Sequence, residues 1–337
     1  MMKKVFFGLL AIVLLCSHDM FLKMDNYFLD PNTNAAIQLF NGTFEKSENV
    51  IDRNRMLDMS LVGNGQRIQV DSAQWTEKDS ITFLNFKTGG PGTWVAGVST
   101  AAKNIALDAK SFNDYLEHDG VVDMLEWRKE NNALDQDAVE KYSKHVKTIF
   151  QVGEELSDDW KTALGYPIEF IPQENPYDIH AGHSLKVQLL YKGKPLANQL
   201  VIIGSDVSGE SSMVEHSHDG GEPHTHKSGE TPDHDHNSGL QLRTDDAGTL
   251  EFEITNAGVW HMRTIYMVQS EEEGLTHESN WATLTFAVGS GHSAAHGTDK
   301  DEDHHAHEEE SFPSYIFLLV SLVIVAGLFF YFKSKKK

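Results

Sequence analysis

From Ser314 to Phe332 the sequence carries no charge, with YIFLLVSLVIVAGLFFYF filling residues 315–332, and it then ends on Lys333-Ser334-Lys335-Lys336-Lys337. An apolar run of about 18 or more residues has the length of a transmembrane helix. A lysine tail beyond it marks the cytoplasmic side. Tyr315 and Tyr331 stand where interfacial aromatics belong. A buried core helix would leave the lysine tail unexplained, so the span is read as residues 313–332 and the cytoplasmic tail as 333–337.

The N-terminus answers this span. Met1-Met2-Lys3-Lys4 precedes an apolar stretch from Val5 to Leu15, which is the layout of a secretory signal peptide and too short to cross a bilayer comfortably. Cleavage around Leu15-Cys16-Ser17 gives a leader over 1–17 and makes His18 the first mature residue. Cys16 would suit a lipoprotein, but Val13-Leu14-Leu15 lacks the small residue that normally precedes a lipidated cysteine. The expectation is a single-pass protein of the cell (inner) membrane. Its large domain is periplasmic or otherwise extracytoplasmic, and its C-terminal helix contacts lipid.

Charge and cysteine content narrow the chemistry. A formal net charge of -22 over 337 residues argues against nucleic acid, whose phosphates demand clustered Lys and Arg. The single cysteine, Cys16, lies inside the leader. That excludes a disulfide framework and thiolate metal sites, and leaves His, Asp and Glu as ligands. With 18 Phe and 6 Trp the chain can bury real cores.

The body reads as mainly β. Ala36–Phe40, Arg67–Val70, Ile81–Phe86 and Thr93–Val98 are strand-like, with turns at Asn64-Gly65 and Gly89-Gly90-Pro91-Gly92. Strands return at Leu185–Tyr191, Leu200–Gly204, Leu250–Ile254, Val259–Met267 and Trp281–Val288, with turns at Lys192–Leu196 and Thr244–Thr249. Between them the period changes. Phe112, Tyr115 and Leu116 fall at helical spacing, as do Val121, Met124, Leu125 and Arg128. A further helix is predicted over Ala138–Val152, with Val139, Tyr142, Val146, Ile149 and Phe150 on one face. The expected fold is two β-sandwich domains, immunoglobulin-like or transthyretin-like, over 18–107 and 166–289. A helical insert over 108–165 separates them, and a linker over 290–312 leads to the C-terminal transmembrane helix.

Eleven of the 18 histidines fall in two loop-like stretches. In the first, within a loop over 208–239, His216/His218, His224/His226 and His234/His236 form three H-x-H pairs among Gly, Pro, Ser and acidic residues. From His216 to Asn237 prolines are the only apolar residues, so this stretch cannot fold around a core of its own. Neutral imidazole is a good ligand for Ni, Co, Zn and Cu, and Asp219, Glu222, Asp233 and Asp235 favour collecting a dication. Ligands that must be ordered on binding give modest affinity and loose metal choice. The second stretch, in the linker, holds His292, His296, His304, His305 and His307 beside Asp299, Asp301, Glu302, Asp303 and Glu308–Glu310. Its competing reading is a solvated spacer.

His18, as a mature N-terminus, would offer an amine and an imidazole together to Cu(II) or Ni(II); the competing reading is a scar of processing. His180 and His183 flank a strand start, as ligands or as turn hydrogen-bonders. His118, His145, His261 and His277 read as structural or surface groups.

Several ordered stretches together resemble the family catalogued as domain of unknown function 4198 (DUF4198). They are His18-Asp19-Met20-Phe21-Leu22, Glu140–Lys144 with Gln151-Val152-Gly153, Tyr166–Pro172, Asn175-Pro176-Tyr177, Gly193–Leu196, Gly258–Arg263 and Trp281–Phe286. The resemblance covers most of His18 to Val288. It implies a secreted bacterial envelope protein with a β-sandwich fold, and, from members described as periplasmic components of nickel or cobalt uptake, an accessory role beside a metal transporter in the same membrane. The C-terminal span and the length of the histidine loop depart from many members.

The leading functional reading is therefore a non-catalytic module binding divalent transition metal. The alternative is a surface or glycan-binding sandwich with incidental histidines, presenting an aromatic platform from Trp75 or Trp94. No H-E-x-x-H or G-x-S-x-G motif is present, and no catalytic residue or organic cofactor is expected.

Overall fold

The computed structural model describes residues 18–206 and 239–289. In chain order the first part forms β1 (Asp19–Lys23), β2 (Phe28–Leu29), β3 (Asn34–Gly42), β4 (Met56–Gly63), β5 (Gln66–Gln69), β6 (Trp75–Lys78), β7 (Ile81–Lys87), β8 (Gly92–Thr100) and β9 (Lys103–Leu107). Two helices follow, α1 (Ala109–His118) and α2 (Val122–Glu130), and then the 15-residue β10 (Ala138–Val152). The rest is β11 (Ile168–Pro172), β12 (Ser184–Tyr191), β13 (Lys194–Pro195), β14 (Leu200–Asp206), β15 (Leu240–Arg243), β16 (Thr249–Glu253), β17 (Gly258–Gln269) and β18 (His277–Val288).

These strands make three sheets. A central sheet runs β15-β14-β17-β18-β10-β8-β4-β5, with β2 and β9 also paired to β10. One outer sheet is β1-β3-β7-β6, and the other is built on β12, which pairs with β11, β13 and β16. Side chains of a strand point alternately to opposite faces, and the central strands use both. In β8, Trp94, Ala96 and Val98 pack into the core that also takes Leu22, Ile37, Leu39 and Leu84 of the β1-β3-β7-β6 sheet, while Val95 packs with Ile168, Phe170, Leu189 and Phe252 on the other side. Likewise β18 commits Ala282, Leu284 and Phe286 to the second of these cores. Covered on both faces, β8 is buried along its whole length, which is why it reads as a near-continuous apolar run.

The helix predicted over Ala138–Val152 is a strand, and this is the main correction to the sequence reading. β10 pairs in parallel with β18, from Glu140↔His277 to Thr148↔Thr285, and antiparallel with β9 and then β8. It therefore joins strands from the segments 18–107 and 166–289 into one sheet. Its apolar residues satisfy a helical period and a two-residue period at once. Val146, Phe150 and Val152 face one core while Ile149 faces the other. The polar residues between them are buried: Ser143, Lys144, His145, Lys147, Thr148 and Gln151.

The two remaining helices match expectation. Asp108 caps α1 by accepting from the Ser111 amide at 2.8 Å. Phe112, Tyr115 and Leu116 of α1 and Met124, Leu125 and Arg128 of α2 are the buried residues of their helices. The apolar ones among them pack on Ile265, Met267 and Trp281 of the central sheet. The Arg128 guanidinium lies 4.9 Å from the Phe112 ring centroid and donates to Asn113 Oδ1 and the Gln136 carbonyl, at 2.8 and 2.6 Å. Predicted turns also hold. Asn64 (φ 51°) and Gly65 (φ 72°) connect β4 to β5, where Gly63 pairs with Gln66, as a two-residue hairpin turn with two positive φ angles requires.

Among the described residues no helix is long and apolar enough to cross a membrane. The leader (1–17) and the C-terminal span (313–332) lie outside the described residues.

Candidate metal-binding site

The six loop histidines His216, His218, His224, His226, His234 and His236, and the linker histidines His292, His296, His304, His305 and His307, lie outside the described residues. Their attachment points do not. β14 and β15 are antiparallel partners with Leu200↔Arg243 and Ile203↔Leu240 in register, and β15 is the terminal strand of the central sheet. The two ends of residues 207–238 therefore lie on neighbouring antiparallel strands at that edge of the sheet. The strands predicted at Leu200–Gly204 and Leu240–Arg243 are both present, as β14 and β15.

His18 is described and is only slightly exposed. Its Nδ1 lies 3.2 Å from Glu48 Oε2, with side-chain exposures of 11% and 40%, and its backbone carbonyl accepts from Lys144 Nζ. The next residue, Asp19, is buried with its carboxylate 3.4 Å from Arg263 Nε. β1 then lies along β18, where Thr283 Oγ1 donates to the Met20 carbonyl at 2.7 Å and Thr285 Oγ1 donates to the Leu22 carbonyl. The start of β1 is thus pinned to the central sheet by both side-chain charge and backbone bonds. An imidazole beside a carboxylate is a usable ligand pair for a divalent ion.

Around that start sits a buried polar cluster that the sequence pattern did not reveal. Glu140 on β10 accepts from Tyr115 Oη at 3.2 Å and from Ser279 Oγ. Burial raises the Glu140 carboxyl to about 7, against those two hydrogen bonds. Burial lowers the nearby Lys144 ammonium to about 8, opposed by the charges of Asp19, Asp119 and Glu140. Both side chains are almost fully enclosed, at 3% and 5% exposure, so they reach neither solvent nor a ligand. The cluster holds α1, β1, β10 and β18 together. A sequence signal that could have found it is the run of charged residues from Glu140 to Lys147, inside a segment whose apolar residues fit a helical period.

The other histidines separate by surroundings. His145 bonds Ser99 Oγ through Nδ1 and Ser143 Oγ through Nε2, each at 2.9 Å. His261 stacks on Phe44 with ring centroids 3.9 Å apart, and His277 bonds Thr276 Oγ1 at 2.7 Å. Burial is the main cause that lowers all three to about 4, so they are neutral packing groups. His118 is half-exposed beside Asp119 Oδ1, at 3.1 Å. His180 and His183 are exposed with ring centroids 3.9 Å apart. Among the described residues no group of three or more His, Cys, Asp or Glu side chains is arranged to hold a metal ion. A small cavity of about 90 Å³ between α2 and β17 is lined by Val121, Met124, Gln199 and Ile265. The aromatic platform expected from Trp75 or Trp94 is not there: both side chains are in the core, at 9% and 1% exposure.

The sequence matches the family described as domain of unknown function (DUF4198) over residues 15–268. The chain belongs to the DUF4198 family. No curated protein matches it. Among solved structures, an α-2-macroglobulin mutant from Salmonella is 10% identical with a TM-score of 0.20, over 80% of this chain and 15% of that one. Trypsin-activated α-2-macroglobulin from Escherichia coli gives 9% and 0.21, with the same coverage. A DUF4785 family protein from Legionella pneumophila gives 9% and 0.21, over 72% of this chain and 51% of that one. This DUF4198 chain thus spans about 15% of the length of the α-2-macroglobulins it matches, and likeness at this level carries no argument about what it does.

Proposed function

We propose that this protein is a non-catalytic collector of divalent transition-metal ions (Ni, Co, Zn or Cu), anchored in the membrane by residues 313–332 with its folded domain on the extracytoplasmic side. The observation that carries the reading is the pairing of Ile203 with Leu240. The pairing of β14 with β15 is complete without residues 207–238, yet that stretch holds three H-x-H pairs. An insertion that the fold does not need, enriched in one metal-ligating residue type, is explained by what it binds. His18 with Glu48 at 3.2 Å adds a second candidate site, and the linker histidines a third. The role is that of an accessory to a metal transporter in the same membrane, concentrating ions near its mouth.

Calorimetric titration of the protein with Ni(II) and with Zn(II) near neutral pH tests this. Binding tighter than about 1 mM is expected, and it should weaken when the six loop histidines are replaced by Asn. Equal binding with and without those histidines removes the loop from the function.

A further inference from the structure

The turn that enters β12 holds two imidazoles in tilted contact on a hydrogen-bonded backbone. His180 and His183 are both exposed, and their ring centroids are 3.9 Å apart at an interplanar angle of 44°. The turn is closed by the His183 amide donating to the His180 carbonyl at 3.1 Å. Gly182 sits at φ 94°, a conformation that favours glycine, with open space around the position a Cβ would take. His180 and His183 are the two ends of this turn, and their rings meet across it.

The surroundings fix the pair in place. The Gly182 amide donates to the Ile254 carbonyl and the Ile254 amide donates to the His183 carbonyl, both at 2.8 Å, which ties the turn to the end of β16. Upstream, Tyr177 Oη donates to the Ile149 carbonyl on β10 at 2.8 Å and the Tyr177 amide donates to Asn175 Oδ1 at 3.0 Å. The ring approach is therefore built on ordered backbone at both ends, and little further ordering is lost when a ligand bridges it.

We propose that His180 and His183 form a surface site for one Cu(II) ion, with both imidazoles as ligands and water completing the shell. Copper is the choice because a nitrogen pair with open positions binds it more strongly than the other divalent first-row ions. Backbone nitrogen does not join the ligand set, since the Gly182 and His183 amides already donate to protein carbonyls. This site is separate from the loop, linker and His18 histidines and stands without them.

Copper-catalysed oxidation identifies the ligands in the intact chain. The full-length protein is loaded with a single equivalent of Cu(II), treated with ascorbate in air, and digested for peptide mass spectrometry. His180 and His183 are expected to be oxidised well above His118, a half-exposed histidine beside the Asp119 carboxylate. In His180→Asn, oxidation of His183 should fall by at least about tenfold, as loss of one ligand from a weak site requires. Circular dichroism confirms that this exposed substitution leaves the fold intact. Undiminished oxidation of His183 in that variant overturns the site, as does wild-type oxidation no greater than at His118. Replacing the six loop histidines by Asn should lower total copper uptake and leave oxidation of the pair unchanged. Loss of the pair's oxidation there also overturns a two-residue site. Unchanged uptake there counts against the loop alone.

Discussion

Lys147 Nζ lies 3.1 Å from Glu169 Oε2, with the two side chains 1% and 3% exposed. The lysine also donates to the carbonyls of Thr162 and Phe170, at 3.3 and 3.0 Å, and Glu169 accepts from the amides of Leu164 and Gly165, at 2.8 and 3.0 Å. Burial lowers the Lys147 ammonium, and Glu169 opposes that. The pair closes the outer sheet that starts with β11 onto β10. Removing one partner strands the other as a buried charge, so Lys147→Met should destabilise the protein by about 3–5 kcal/mol. The double variant with Glu169→Gln should recover part of that loss. Urea unfolding of the three proteins measures it.

Glu140 gives the fold a pH dependence of defined sign. Its carboxyl is raised from 4.5 to about 7 by burial, so between those values the folded state holds a proton that the unfolded chain releases. Its contribution is therefore complete below about pH 4.5 and is lost as pH rises through about 7. Glu140→Gln should flatten stability against pH across this window and leave the variant more stable above it, by up to about 3 kcal/mol. Denaturation midpoints measured at a series of pH values decide this.

His261 acts in the opposite direction. Burial lowers it from 6.5 to about 4, so the unfolded chain binds a proton that the folded state refuses as pH falls through that range, and stability drops with acid. Its Nδ1 is buried with no hydrogen-bond partner among the described residues. His261→Phe keeps the stack on Phe44 and removes both costs. Greater resistance to acid unfolding than the wild type is expected, read from the pH midpoint of near-ultraviolet circular dichroism.

Gly63 ends β4 directly beneath the Trp94 indole, and a Cβ there would collide with the ring's Cδ2 and Cε2. Trp94 is 1% exposed and packs beside Phe150, with ring centroids 6.2 Å apart, so it has little room to retreat. Gly63→Ala should cost about 1–3 kcal/mol through overpacking, seen as a lowered melting temperature.

Residues 207–238 should be dispensable for folding. Replacing them with a short Gly-Asn linker keeps Ile203 opposite Leu240 and shortens the loop whose closure the hairpin must offset. Stability should stay equal or rise by on the order of 1–2 kcal/mol, while Ni(II) and Zn(II) uptake falls. Thermal melts together with metal analysis check both halves of the expectation.

The local features of this chain were legible in its sequence because each depends on neighbouring residues. Turn chemistry fixed Asn64-Gly65 between two strands, apolar spacing marked α1 and α2, and ordered motifs from His18 to Phe286 marked the family. Residues 138–152 show where that reach ended. Val139, Val146, Ile149 and Phe150 fit a helix as well as a strand. Only the pairing of β10 with β18, more than a hundred residues away, and the covering of both its faces decided for the strand. The same long-range assembly buried Lys144, His145 and Lys147 and withdrew Trp75 and Trp94 from the surface. It also brought the imidazoles of His180 and His183 to 3.9 Å, a distance set by Gly182 and by hydrogen bonds to Ile254 rather than by the spacing of two histidines along the chain. Sequence determined which side chains could bind metal; tertiary structure decided which of the described ones are packed away and which two stand together in water.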